Sequence, residues 1–244
     1  MKRKVRVLFL AANPDSRTPL ELGREYNKIR DAIARSKYRA AFELIPPEFS
    51  AQLETVSAAL IEHRPHVVHF AGHGSQSQGL ILEDKNHRHL PIGKAELTEL
   101  FKTLRGVVRL VFLNACYSDE QARLLTGVFD YAIGSEGLIE DRCAVDFSRA
   151  FYRHLALGGT VSQAFLAAQF GIKNCGAVTS DLLKRPGVRD DIPFILQVCK
   201  PLSGKPKPKP SAPAGSQIKV ENYGEIGAVV SGSNITVKLQ RRER

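Results

Sequence analysis

Two segments of the sequence end an apolar run with a side chain that could do chemistry. The run Val67–Ala71 leads into the tripeptide GHG around His73, and the run Val107–Asn114 leads into Cys116. An imidazole with a near-neutral pKa can take the proton of a thiol and later donate a proton to a leaving amine. His73 and Cys116 therefore predict nucleophilic catalysis, provided that the fold brings them together.

The elements that must position this pair follow from the pattern of the rest of the chain. Short β-branched or aliphatic runs alternate with longer stretches of helical period, which is typical of an α/β domain with a largely parallel sheet. The carboxyl ends of neighbouring parallel strands meet at one edge of the sheet, so His73 and Cys116 are expected in one cleft. The predicted strands are Val5–Ala11, Phe42–Ile45, Val67–Ala71, Val107–Asn114, Tyr131–Gly134 and Phe194–Val198, with a hairpin over Gly79–Leu82 and His89–Ile92. The predicted helices are Leu20–Ser36, Ala51–Glu62, Lys94–Leu104, Glu120–Leu125, Val145–Leu155 and Val161–Ile172.

Local features around the pair favour catalysis. The glycines on both sides of His73 permit backbone angles that other residues resist and allow a close approach of main chains. Cys116 is expected at the beginning of a helix, whose positive end would stabilise a thiolate. The backbone amides of Gly74 and Cys116 are the natural donors to an oxyanion.

A packing role is the simpler interpretation of any single cysteine or histidine. A buried cysteine usually behaves as a small hydrophobe, and a histidine within an apolar run is usually a satisfied core residue. We assign this role to His69, Cys143, Cys175 and Cys199. For the other two residues, the matched positions after successive buried strands favour catalysis.

Composition places the chain among ordinary globular proteins and argues against several classes of function. The 244 residues are 43% apolar and 25% charged, and no apolar run approaches the ~20 residues of a membrane-spanning helix. The start of the chain lacks a signal-peptide pattern, so we expect a cytoplasmic protein with no membrane segment. Reduced cysteines are expected, since their spacing matches neither zinc-site CxxC pairs nor a disulfide framework. No glycine-rich phosphate loop is present, so no cofactor is expected, and the net charge of +10 lacks the basic, aromatic-interleaved stripe of a nucleic-acid partner.

A change in composition after residue 200 divides the chain. We assign residues 1–200 to a folded body, 201–216 to a linker rich in proline and lysine, and 217–244 to a β-prone tail. Alternating lysine and proline favour an extended, solvated spacer. The tail cannot form a core by itself, so it must dock on the body, stay disordered or pair with other copies in stacked β structure.

Several stretches of the body carry a family resemblance, among them VRVLFLAANP, LELGREYNKIRDAI, RPHVVHFAGHG, VRLVFLNACYS, AIGSEGLIEDRCAVDFSRAFYRHLALG and VSQAFLAA. From about Val5 to Val198 the chain resembles the CHAT domain family, a caspase-like group related to separases. The resemblance implies a caspase-like three-layer α/β/α sandwich. It also implies a cysteine endopeptidase that acts on a protein substrate, with His73 as general base and acid and Cys116 as nucleophile.

The resemblance further indicates where a substrate side chain would bind. In caspase relatives this pocket is lined by loops that follow the first strand and the catalytic strands, and here those loops offer Asp15, Glu136, Glu140 and Asp141. An acidic pocket would prefer a basic residue before the cut, because an unpaired buried carboxylate is costly. Asp141 could equally cap a helix that begins near Ala144, and the specificity stays open.

The tail carries a second resemblance through its core, NYGEIGAVVSGSN, which is similar to short amyloid signalling motifs, including RHIM-like ones. This resemblance implies homotypic assembly through residues 217–244 and an NLR-type receptor that shares the motif. The implied role is that of an effector in bacterial defence or regulated cell death. An edge hairpin or frayed terminus is the alternative for the tail. A catalytically silent caspase-like module that assembles a signalling complex is the alternative for the whole chain.

Overall fold

The computed structural model describes residues 3–14, 20–102, 104–173, 175 and 180–199. Its strands are β1 (Val5–Ala12), β2 (Phe42–Leu44), β3 (Glu48–Phe49), β4 (Val67–Gly72), β5 (Gly74–Ser75), β6 (Gly79–Glu83), β7 (His89–Ile92), β8 (Leu110–Asn114), β9 (Tyr131–Ser135) and β10 (Ser180–Lys184). Its helices are α1 (Leu22–Ala34), α2 (Leu53–His63), α3 (Lys94–Lys102), α4 (Asp119–Leu125), α5 (Asp141–Ala156), α6 (Val161–Gly171) and α7 (Phe194–Cys199). The predicted linker, 201–216, and tail, 217–244, lie outside the described residues.

The main sheet has the strand order β10-β9-β8-β4-β1-β2, and β3 also pairs with the end of β1. Among the described strands of this sheet, every pair is parallel except β9 with β10. The central strands β4 and β8 are buried along their whole length. Their largely apolar sequences suit a parallel sheet that is covered on both faces. The predicted, largely parallel sheet is confirmed.

Helices cover both faces of this sheet. On β1, Val7 and Phe9 pack into one core with residues of α1, α5, α6 and α7. Leu8 and Leu10 pack into a second core with residues of α2, α3 and α4. Residues of β1 alternate between the two cores because successive side chains of a strand point to opposite faces of the sheet. The predicted three-layer α/β/α arrangement is therefore confirmed.

A small antiparallel sheet of β5, β6 and β7 follows β4. Leu80 of β6 lies opposite Ile92 of β7, so the predicted hairpin is confirmed. Gly74 opens β5 and pairs with Leu80, which means that the small sheet begins immediately after His73. The loop that carries His73 is thus held between two sheets.

One predicted strand is wrong. Residues 194–198 lie in helix α7, and the last strand is β10, which the sequence pattern did not predict. Phe194, Ile195 and Val198 face the core, a spacing that suits a helix. The backbone N–H groups of Leu196 and Gln197 both donate to the carbonyl oxygen of Pro193. A short apolar run does not by itself distinguish a strand from a helix.

The expectation of reduced cysteines is also wrong for one pair. Cys143 and Cys175 form a disulfide, with their Cα atoms 5.9 Å apart. They meet because α5 and α6 pack together through the short connection 157–160, so the start of α5 lies near the end of α6. This proximity comes from tertiary packing and is invisible in the spacing of the two cysteines. Cys116 and Cys199 are free and half-buried.

Two kinds of feature are absent from the described part of the chain. None of the helices there is long and apolar enough to cross a membrane. None of the described groups of histidine, cysteine, aspartate and glutamate is arranged to hold a metal ion.

His66, which precedes β4, predicts a loss of stability in mild acid. Its Nδ1 atom accepts the backbone N–H of Arg6 at 3.0 Å, and burial followed by the charges of Arg6, Arg3 and Arg109 lowers its pKa from 6.5 to about 4. Between these values the unfolded chain binds a proton that the folded chain does not, so stability falls as the pH falls. We expect the free energy of unfolding to be about 2 kcal/mol lower at pH 5 than at pH 7.5 from this group alone.

Chemical denaturation of the native chain and of His66→Gln at the two pH values measures this effect. The variant should lose about 2 kcal/mol of the pH dependence. His89→Gln, at an exposed position, is the matched control and should retain it. An unchanged pH dependence in His66→Gln would contradict the assignment.

Candidate active site

The loops after β4 and β8 form the candidate site. In the ladder between these strands Ala71 lies opposite Asn114, so both strands end at the same edge. His73 is the second residue after Ala71, and Cys116 is the second after Asn114. Both line one cavity of about 50 Å³. The other lining residues are Leu20, Leu22, Glu25, Gly72, Asn114, Ala115, Ile139, Asp141 and Ala144.

Asn13 orients the imidazole of His73. The Nε2 atom of His73 lies 3.0 Å from Oδ1 of Asn13, which directly follows β1 in the chain. Because this oxygen can only accept, Nε2 carries the ring hydrogen in the neutral histidine and Nδ1 carries the lone pair. The backbone N–H of Asn13 donates in turn to the buried carboxylate of Glu83 at 3.0 Å. Asn13 was not among the predicted site residues, although its place after a strand adjacent to β4 could have marked it.

The family resemblance implies peptide hydrolysis, and for that reaction we predict that Asn13→Ala lowers kcat about tenfold, which corresponds to one hydrogen bond of ~1.4 kcal/mol. The imidazole would lose the acceptor that selects its tautomer. Asn13→Asp keeps an acceptor oxygen at the same place and should restore most of the rate. Steady-state kinetics checks this, with Asn86→Ala in the exposed turn after β6 as the control. Equal rates in Asn13→Ala and the native chain would contradict the role.

Cys116 lies in a turn rather than in a helix. Helix α4 begins only at Asp119, so the expectation that Cys116 opens a helix is wrong. The chain first turns through Tyr117, whose φ of 53° lies in the left-handed region. The sulfur instead accepts the backbone N–H of Ile139, between β9 and α5, at 3.3 Å. A donor from another loop therefore faces the thiol.

Gly74 brings its backbone against that of Cys116. A Cβ atom added at Gly74 would lie 1.9 Å from the carbonyl oxygen of Cys116 and 3.2 Å from its nitrogen. Such a distance is far inside van der Waals contact, so only glycine fits. The loops of His73 and Cys116 are thus in direct contact through their main chains.

A match to a family model assigns the chain to a family. The model of the CHAT domain family matches residues 2–177, which is more than half of the chain. The chain belongs to the CHAT domain family. The resemblance inferred from its motifs is confirmed, and both His73 and Cys116 lie within the matched residues.

Relatives of this CHAT domain are named as proteases. A Roc-COR-CHAT protease from an unknown prokaryotic organism is 24% identical over 200 residues, which are 79% of this chain and 18% of the relative. A probable protease of Gillisia limnaea is 27% identical over 154 residues, which are 62% of this chain and 27% of the relative. A Roc-COR-CHAT protease of Runella zeae is 28% identical over 156 residues, which are 62% of this chain and 16% of the relative. The chain therefore spans less than a third of the length of each of these relatives.

A solved structure similar to this CHAT domain is the Drosophila initiator caspase Dronc. The two have a TM-score of 0.45 and 7% sequence identity, over 76% of this chain and 82% of that chain. The assignment to the family comes from the sequence match, and the α/β/α architecture comes from the fold described above.

The acidic residues predicted for a substrate pocket lie in different places in this CHAT domain. Asp141 lines the cavity, and Asp15 lies outside the described residues. Glu136 is exposed and is not among the described residues that line the cavity. Its charge, after burial, raises the pKa of Asp181 on β10. Glu140 is the N-cap of α5 and is also exposed.

Asp141 does not cap a helix that begins near Ala144, because α5 begins at Asp141 itself. Its Oδ2 atom accepts the backbone N–H of Glu21, the N-cap of α1, at 3.2 Å. Burial, followed by the charges of Glu25 and Glu21, raises the pKa of Asp141. The side chain thus joins two helices at the wall of the cavity.

Glu25 lines the cavity and contacts the buried His69. His69 is fully buried, and its two ring nitrogens lie 2.9 Å from Glu25 Oε1 and 3.2 Å from the Tyr152 hydroxyl. The prediction that His69 is a satisfied core residue is confirmed. Glu25 was missed by sequence reasoning, because one glutamate on a helix is expected at the surface.

Proposed function

We propose that this CHAT domain is a cysteine endopeptidase in which Cys116 is the nucleophile and His73 is the general base and acid. The observation that carries the proposal is the cavity at the ends of β4 and β8, which both side chains line. The contact between Asn13 and the His73 ring supports it, as do the protease names of the relatives.

The reaction follows from the placement of these groups. Sγ of Cys116 attacks the scissile carbonyl carbon while its proton passes to Nδ1 of His73. We assign the backbone N–H groups of Gly74 and Cys116 to the developing oxyanion, because the two backbones lie in contact. His73 then gives the proton to the leaving amine. Water attacks the resulting thioester, which releases the new carboxyl group and restores the thiol.

A basic side chain before the scissile bond fits the charges of the cavity. Its described lining includes two carboxylates, Glu25 and Asp141, and neither lysine nor arginine. Burial raises the pKa of Asp141, and repulsion by the carboxylates of Glu25 and Glu21 raises it further. A guanidinium or ammonium group beside Asp141 would offset that repulsion. We therefore extend the proposal to substrates with arginine or lysine before the cut.

We predict that Asp141→Asn lowers kcat/KM for an arginine peptide about 10- to 100-fold, the range for a lost charged hydrogen bond. A peptide with leucine at that position should be cut at an unchanged rate. The control is Asp146→Asn, which removes a carboxylate from the same helix where it pairs with Arg149. An equal loss on both peptides would mean that Asp141 acts on folding and not on specificity.

The endopeptidase proposal is tested by incubating the full chain with a peptide library and with peptidyl acyloxymethyl ketones. We expect cleavage of a subset of peptides, and a covalent adduct that mass spectrometry locates on Cys116. An absence of cleavage, together with an adduct that forms no faster than on free cysteine, would overturn it. That outcome would favour the silent interaction module.

We also propose that residues 217–244 recruit and cluster this domain in the cytoplasm, as an effector of bacterial defence or regulated cell death. Homotypic assembly or an NLR-type receptor with the same motif would bring copies together. The tail supports this through its valine and isoleucine residues spaced by asparagine and glycine. Fibril formation by a synthetic 217–244 peptide, with cross-β diffraction at ~4.7 Å, is the test. A soluble, unstructured peptide would contradict the assembly role.

A further inference from the structure

A cluster of buried polar side chains adjoins the cavity. Its centre is Glu25, whose Oε1 atom accepts hydrogen bonds from Asn114 Nδ2 at 2.6 Å, Ser148 Oγ at 2.7 Å and His69 Nε2 at 2.9 Å. These four side chains are almost completely buried. Glu25 and Asn114 also line the cavity that contains the proposed catalytic pair.

The hydrogen bonds of the cluster converge on the carboxylate. The hydroxyl of Tyr152, which is fully buried, lies 3.2 Å from Nδ1 of His69 and donates to it when the imidazole is neutral with its hydrogen on Nε2. Burial and then the charge of Glu25 raise the pKa of Tyr152, so this hydroxyl stays protonated. With Nδ1 accepting, Nε2 of His69 carries the ring hydrogen and donates it to Glu25. Each hydrogen bond then has one donor and one acceptor, so the four side chains have a single hydrogen-bonding pattern.

We propose that Glu25 is a positioning residue that sets the relative placement of the two catalytic loops, an inference that rests on the proposed peptidase function. The backbone ladder between β4 and β8 ends at the pair Ala71 and Asn114. The Glu25 oxygen accepts hydrogen bonds from Asn114, the last residue of β8, and from His69, which lies on β4 four residues before His73. Both residues lie within the ladder, so Glu25 fixes the ends of the two strands against α1, and the loops that carry His73 and Cys116 start from these ends.

A purely stabilising role accounts poorly for this cluster. Burying a carboxylate is costly, and replacing buried ionic groups by apolar residues of similar volume is often neutral or stabilising. Positioning of His73 and Cys116 relative to each other would explain the cluster, because a misplacement of reacting groups by about 1 Å can lower the rate about 100-fold. Glu25 joins α1 to β4, β8 and α5 at the wall where the reaction would occur.

The test uses Glu25→Gln in the full chain, with Ser148→Ala as a milder second variant that removes one donor. Asp130→Asn is the matched control, since Asp130 is equally buried and pairs with Arg109 and Arg185 just before β9, at the opposite edge of the sheet. The measurements are kcat and KM on a cleaved peptide, the free energy of unfolding, and the pH profile of Cys116 alkylation by iodoacetamide. The alkylation profile reports on the thiol even without turnover, and His73→Ala serves as its reference.

We expect Glu25→Gln to lower kcat about 10- to 100-fold with little change in KM, and Ser148→Ala to lower it about threefold. The alkylation profile of Glu25→Gln should move towards that of His73→Ala, while Asp130→Asn keeps the native profile and native kcat at a comparable loss of stability. A native profile in Glu25→Gln and Ser148→Ala would overturn the positioning role, as would an equal loss of kcat in Asp130→Asn. If His73→Ala also left the profile unchanged and no peptide were cut, the proposed function itself would fail.

Discussion

Replacing Cys116 by alanine is expected to abolish peptide hydrolysis, with a loss of at least about 10³-fold in kcat. The substitution removes the atom that would form the bond to the substrate, and no other described residue at the cavity is a thiol or a hydroxyl. The change is small and the site is half-buried, so the free energy of unfolding should move by less than about 1 kcal/mol. The measurement is the hydrolysis of a peptide cleaved by the native chain.

Cys199→Ser provides the matched control for this prediction. Cys199 is the other free, half-buried cysteine, at the end of α7, and burial raises its pKa. It lies outside the cavity, so its replacement should leave kcat unchanged. If hydrolysis survives in Cys116→Ala, or disappears in Cys199→Ser, the assignment of Cys116 as the nucleophile is wrong.

The placement of His73 and Cys116, the proposed catalytic pair, could be predicted because it depends on features that the sequence carries directly. The run Val67–Ala71 is apolar apart from His69, which indicates a strand buried on both faces. Once two such strands are parallel neighbours, the residues that follow them must meet at one edge. The observed pairing of β4 with β8 meets that condition and carries His73 and Cys116 into one cavity.

The supporting residues could not be predicted because they depend on tertiary contacts. Asn13 contacts His73 across 60 positions of sequence, and Glu25 contacts Ser148 across 123. Nothing in the local pattern of a helix reveals that one of its carboxylates will be buried. The disulfide has the same origin, since it depends on how two helices pack.

Two errors of local structure, at residues 194–198 and at Cys116, have a different cause. The run from Phe194 to Val198 is short, and its apolar residues satisfy a strand and a helix equally well. Tertiary packing against the α5 side of the sheet decides for the helix. At Cys116 the turn through Tyr117 delays the start of α4, and a local φ value of this kind leaves no mark in hydrophobic periodicity.

Replacing Gly74 by alanine should produce the second large effect, a loss of about 100-fold or more in kcat/KM. The added Cβ would lie 1.9 Å from the carbonyl oxygen of Cys116, which is a backbone atom and cannot rotate away as a side chain could. The two loops would have to separate by more than 1 Å, and the proposed donors to the oxyanion would separate with them. Activity should therefore fall much more than the stability of the sheet, whose strands do not depend on this contact.

Gly93→Ala is the matched control, since the nearest atom to an added Cβ there, a carboxylate oxygen of Glu96, lies 3.7 Å away. It should hydrolyse peptides at the native rate. Measuring the free energy of unfolding distinguishes two ways in which Gly74→Ala could lose activity. Global destabilisation would lower both the free energy of unfolding and kcat/KM, whereas displacement of the loops would lower mainly kcat/KM. If Gly74→Ala instead cleaves peptides at the native rate, the close backbone contact is not needed for the reaction. The oxyanion would then have to be stabilised by other donors, and the Ile139 N–H, whose nitrogen lies 3.3 Å from the Cys116 sulfur, is one candidate.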